Sequence, residues 1–186
     1  MTLERKLTEW TEMQATYFKR IEELLEGIEK PLQLIPYFTY TTQISHDSNR
    51  ENYILGTFHI QNIGDKPVSN PMICIKLTPA ELFDFSGKYI YPDTKQPMQL
   101  ANAWERVNEA TNKEEYWLRP SKKTMMEANE TISFPNFQVR WTADSAYNGS
   151  IQGFVYGDEI KEGLHAVNQI NINGTIVERE DFYEEE

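Results

Sequence analysis

At 186 residues and 21.8 kDa, with 39% hydrophobic and 12% aromatic residues, the chain has the length of one ordinary domain plus an appendage, and its aromatic content argues against disorder over most of it. Eighteen Lys and Arg against 29 Asp and Glu leave a net charge of −11, which argues against nucleic acid as a partner, since phosphate binding needs concentrated positive charge. Cys74 is the only cysteine, so an intrachain disulfide and a cysteine-based zinc site are both excluded.

The opening residues, MTLERKLTEWTEMQ, lack the apolar core of a secretory signal, and no stretch approaches a membrane span. The expectation is cytoplasmic synthesis with no membrane partner; later assembly into a spore or virion would leave no mark in such residues. Residues 3–29 carry helical spacing. Leu3, Trp10, Tyr17 and Leu24 fall at one heptad position, and Leu7, Gln14, Ile21 and Ile28 at the other. Met13, Phe18 and Leu25 widen this stripe beyond a two-stranded seam, and Gln14 is placed to fix register. Three coverings satisfy the stripe: the chain's own domain, a second copy, or a foreign protein.

Pro31 and Pro36 bound a linker over 31–36, after which the period changes to two. Strands are expected over Tyr37–Ser45, Asn52–Asn62, a run opened by Asn70-Pro71 that holds Ile73, Ile75 and Leu77 on one face, Thr131–Trp141, Ile151–Tyr156 and Ala166–Val177. Ile63-Gly64-Asp65-Lys66-Pro67 and Asn148-Gly149 read as turns, and Asn173-Gly174 as a kink or turn. Sequential strands without intervening helices favour an antiparallel sandwich over 37–178.

The run His59-Ile60-Gln61-Asn62-Ile63-Gly64-Asp65-Lys66-Pro67, with Ile73-Cys74-Ile75-Lys76-Leu77 after it, resembles the second and third strands of bacterial immunoglobulin-like modules. Glu127–Phe134 is similar to their turn-then-strand entry. The resemblance covers about a quarter of the chain. It implies an immunoglobulin-like β-sandwich, mostly β behind a leading helix, and it implies no particular task, because such modules serve adhesion, spacing and ligand binding alike.

Between residues 79 and 126 the strand rhythm lapses. Leu100, Trp104 and Val107 fit a short helix over Gln99–Asn112, and Tyr116-Trp117-Leu118-Arg119-Pro120 fits an edge strand ended by proline. The segment therefore reads as a partly helical insertion. Its Tyr91, Trp104, Tyr116 and Trp117 form a candidate patch for a glycan, a small ligand or a protein, because aromatic rings stack on sugars and anchor interfaces. The competing reading has Trp104 plugging the sandwich and Trp141 in the core.

Catalytic signatures are sparse. His46, His59 and His165 match no metal-ligand spacing; there is no G-x-S-x-G, no glycine-rich phosphate loop and no calcium-loop series around Asp65, Asp93, Asp144 or Asp158. No catalytic residue, cofactor or metal is assigned, and the expected class is a non-enzymatic structural or interaction protein acting as a homo-oligomer or with a protein partner. The last thirty residues carry nine acids and two basic residues. Residues 179–186 read as an acidic tail in which Phe182 and Tyr183 could dock into an apolar pocket while the acids steer toward a basic surface.

Overall fold

The computed structural model describes residues 3–26, 32–45, 50–91, 103–143 and 145–175. The chain divides into two units, Met1–Leu32 and Gln33–Glu186. In the first, α1 (Leu3–Glu26) realises the heptad-spaced segment. Residues 27–31, including Ile28 and Pro31, lie outside the described residues, as do His46, Asp93, Leu100, Asp144, and Phe182 and Tyr183 in the tail.

The second unit is built from β1 (Leu34–Gln43), β2 (Asn52–Asn62), β3 (Val68–Ser69), β4 (Met72–Thr78), β5 (Asp84–Ser86), β6 (Tyr89–Ile90), β7 (Trp104–Arg106), β8 (Glu115–Pro120), β9 (Met125–Met126), β10 (Thr131–Trp141), β11 (Tyr147–Gly157), β12 (Ile160–His165) and β13 (Ile170–Gly174). One sheet runs β1-β2-β10-β5. The larger runs β12-β11-β4-β8-β7-β6, with β13 also on β11, and β3 and β9 form a two-stranded ribbon. Every pairing is antiparallel except β6 with β7.

Alternation decides which side chains meet. In β2, Ile54, Gly56, Phe58 and Ile60 point one way and are buried; in β4 and β11, Ile73, Ile75, Leu77, Ile151, Gly153 and Val155 do the same. The two inner faces meet where the rings of Phe58 and Phe38 lie on the bare backbone of Gly153, and where Phe85 and Tyr116 stand 4.2 Å apart between centroids. The sheets thus pack face to face over an aromatic core. A bulge in β10 puts two residues, Pro135 and Asn136, between inward-facing Phe134 and Phe137, and Asn136 takes φ 55° there. Those two rings lie nearly parallel, 6.3 Å apart.

Several expectations are corrected. No helix forms over the described part of Gln99–Asn112: Trp104 and Arg106 alternate inward in β7, and the four-and-three spacing was coincidental, since Trp104 is buried while Val107 is exposed. The described part of residues 79–126 is built into the sheets rather than set over one end of the sandwich. β5 joins the smaller sheet, β6 to β8 widen the larger one, and β8 is an interior strand between β4 and β7. Leu34–Pro36 belong to β1 rather than a linker, because Pro36 sits on an edge where no N–H is needed. Asn148-Gly149 lies within β11, its glycine required by the Phe83 ring, which a Cβ would approach to 2.4 Å. Of the run expected over Ala166–Val177, only Ile170–Gly174 form a strand, β13, among the described residues; Ala166–Gln169 connect it to β12, which lies before the run, and Asn173-Gly174 ends β13.

Candidate functional site

Along α1 the side chains of Trp10, Gln14, Tyr17 and Ile21 are all exposed, as are Met13 and Phe18. Trp10 is 70%, Tyr17 62% and Phe18 66% exposed, an unusual density of large apolar groups on one helix. Within α1, Thr16 returns its hydroxyl to the Glu12 carbonyl at 2.9 Å. Leu3, Leu7 and Leu24 continue the same heptad positions in the sequence.

The four aromatics expected to form one patch do not. Tyr116 and Trp104 turn inward and are buried; Trp104 donates its indole N–H to the Ser133 carbonyl at 2.9 Å and meets Phe134 edge-on. Tyr91 meets Tyr89, which with Tyr116 flanks the buried Arg106 guanidinium, 5.9 Å and 4.3 Å from the two ring centroids. Arg106 is satisfied by Asn108 and by backbone carbonyls of Glu109, Asn112 and Glu115, so it ties the β7–β8 turn together. Burial, with Tyr91 beside it, pushes the Tyr89 phenol up to about 12, against the opposing pull of Arg106. Trp117 faces the other way. A single platform is ruled out by alternation: neighbours in one strand, such as Tyr116 and Trp117, take opposite faces.

On that outer face of the larger sheet a different group assembles. Cys74 is flanked in the same row by Trp117 on β8 and Phe154 on β11. Trp117 lies 4.8 Å from Tyr156, and Phe154 lies 4.3 Å from His165. Charges border these rings: Lys76 pairs with Glu114 at 3.1 Å and Glu115 at 3.6 Å, the Trp117 indole donates to Glu115 at 2.8 Å, and Arg119 pairs with Glu105 at 2.7 Å. Burial first, then the Glu115 charge, push the Cys74 thiol up to about 12, with Lys76 opposing. Tyr156, Met72, Arg119, Asp158 and Lys161 line a cleft of about 590 Å³ beside this surface. The sequence held a signal for it: Cys74 and Lys76, Trp117 and Arg119, and Phe154 and Tyr156 each alternate with buried aliphatic or aromatic neighbours.

The smaller sheet's outer face carries His59, as its place opposite Ile54, Phe58 and Ile60 implied. Its Nε2 lies 2.9 Å from Thr39 Oγ1 and its Nδ1 2.8 Å from Ser133 Oγ, and Tyr37 stacks on the ring at 4.8 Å. Burial lowers the imidazole below its ordinary value. A serine hydroxyl on an imidazole has the form of a nucleophile–base pair, but here the group on the other ring nitrogen is the Thr39 hydroxyl rather than an orienting carboxylate. Among the described residues no cluster of three or more potential metal ligands occurs, and no described helix is long and apolar enough to cross a membrane.

No family model and no curated protein matches the chain. Among solved structures, a cohesin module from a family 33 glycoside hydrolase of Clostridium perfringens is similar over 77% of this chain and 97% of its own length, at 8% identity and a TM-score of 0.39. At that level the likeness carries no weight for fold or function, which rest on this chain's own residues.

Proposed function

We propose that the chain is a non-catalytic interaction protein: copies join through the N-terminal helix, and an immunoglobulin-like sandwich presents its larger sheet to partners. The immunoglobulin-like reading is supported by strand order. β1-β2-β10-β5 follows the A-B-E-D order and β12-β11-β4 follows G-F-C; β8 lies beside β4 where a C′ strand would, but it follows β5 in the chain, a departure from the immunoglobulin connectivity.

The observation that carries the functional reading is the exposed stripe of Trp10, Met13, Tyr17, Phe18 and Ile21 on α1. Burying each such side chain is worth about 1.5–3 kcal/mol, so covering the stripe is strongly favoured. Its heptad spacing suits a bundle of like helices, with Gln14 as the register-fixing polar position. Trp117, Phe154 and Tyr156 give the sandwich a half-buried aromatic surface of the kind that anchors interfaces.

Sedimentation equilibrium of the full chain tests the reading. The wild type is expected as an oligomer whose mass falls on the double substitution Tyr17→Glu and Ile21→Glu, with the β-sheet circular dichroism unchanged. A wild type that is monomeric from micromolar to millimolar concentration overturns self-association through the helix.

A further inference from the structure

β1 is an edge strand, and only half of that edge is closed. At its start, the Phe38 N–H donates to Asn168 Oδ1 at 2.8 Å and the Phe38 carbonyl accepts from Asn168 Nδ2 at 3.0 Å; the Pro36 carbonyl accepts from the Val167 N–H at 2.8 Å. The Asn168 amide therefore imitates a neighbouring strand. It also reveals which backbone groups face outward, because in an antiparallel strand they alternate. With Phe38 pointing away from β2, Tyr40 and Thr42 point away too. Thr39–Gln43 are exposed throughout, and among the described residues no partner meets the outward N–H and carbonyl of Tyr40 or Thr42.

We infer that this open half of the β1 edge binds a second copy of the same chain, antiparallel, about a two-fold axis at Thr42. Two observations choose the occupant. First, residues 34–45 contain no charged side chain although the chain carries −11, so this strand can face its own copy without opposing like charges. Second, the exposed apolar side chains here are Tyr40, 43% exposed, and Ile44, 50% exposed. In the register centred on Thr42, Tyr40 of each copy falls opposite Ile44 of the other, so each covers its counterpart. The same register gives a ladder of about six hydrogen bonds. Asn168 ends it, since extension past Tyr40 would need the groups of Phe38 that it already holds. The result is one continuous sheet across two smaller sheets, with the isologous symmetry of most dimers.

This contact is independent of the helix, so the test is made on the full chain carrying Tyr17→Glu and Ile21→Glu. In that background, added Thr42→Cys is expected to give a disulfide-linked dimer under mild oxidation, because hydrogen-bonded antiparallel pairs hold their Cα atoms about 5.5 Å apart. Adding Tyr40→Lys with Ile44→Lys instead is expected to weaken the dimer at least tenfold by sedimentation, and Tyr40→Lys with Ile44→Glu to restore it. Absence of the Thr42→Cys cross-link overturns the inference. So does equal behaviour of the Lys/Lys and Lys/Glu variants, the outcome expected if this edge instead takes a foreign extended peptide.

Discussion

At Gly153 the two sheets approach too closely for a side chain. A Cβ there would stand 2.3 Å from Phe58 Cε2 and 2.8 Å from Phe38 Cζ, and neither ring can retreat from a filled core. Gly153→Ala is therefore expected to destabilise the sandwich by about 1–3 kcal/mol, read as a lower urea midpoint with an unchanged slope. His59 gives a second prediction, on pH. Burial lowers its folded value beneath the ordinary 6.5, so the unfolded chain binds the proton more readily. The contribution is intact above pH 6.5 and is lost as pH falls from there through the lowered folded value. Urea unfolding at pH 7.5 and pH 5.0 should show a larger loss for the wild type than for His59→Gln. Equal losses would place the pH dependence elsewhere.

At the scale of elements, legibility followed the length of the pattern. β2 alternates over eleven residues and β10 over two runs either side of its bulge, and the bounds of both are those the sequence predicts. β7 has three residues, too few for period two to outvote a chance helical spacing, and Trp104 is drawn into a strand by pairing on both sides with β6 and β8. Glycines misled for a similar reason. Asn148-Gly149 has turn chemistry, yet Gly149 is dictated by the ring above it, a tertiary cause with no local trace. The aromatic patch failed because composition names residues and not faces: Tyr116 and Trp117 are adjacent in sequence and on opposite sides of a sheet. The outer-face group was recoverable in principle, since Phe154 and Tyr156 flank Val155 in plain alternation. Asn168 was not, because its role depends on a strand 130 positions away.

Taken whole, the molecule carries two candidate self-contacts on separate units, α1 in one and the β1 edge in the other. Two isologous contacts on one chain permit growth past a dimer, with the outer face of the larger sheet left for partners. Cys74 sits in the middle strand of that sheet, nearly inaccessible and with its thiol held neutral by burial and Glu115. Thiolate is the reactive form, and here it is scarce at any ordinary pH. An aromatic disulfide reagent should therefore leave the native protein almost untouched and modify it only as fast as the sheet opens, in step with unfolding by circular dichroism. Prompt labelling in buffer would contradict that placement. The lone sulfur is in effect a tamper seal on the fold, silent while the layers stay closed and countable once they part.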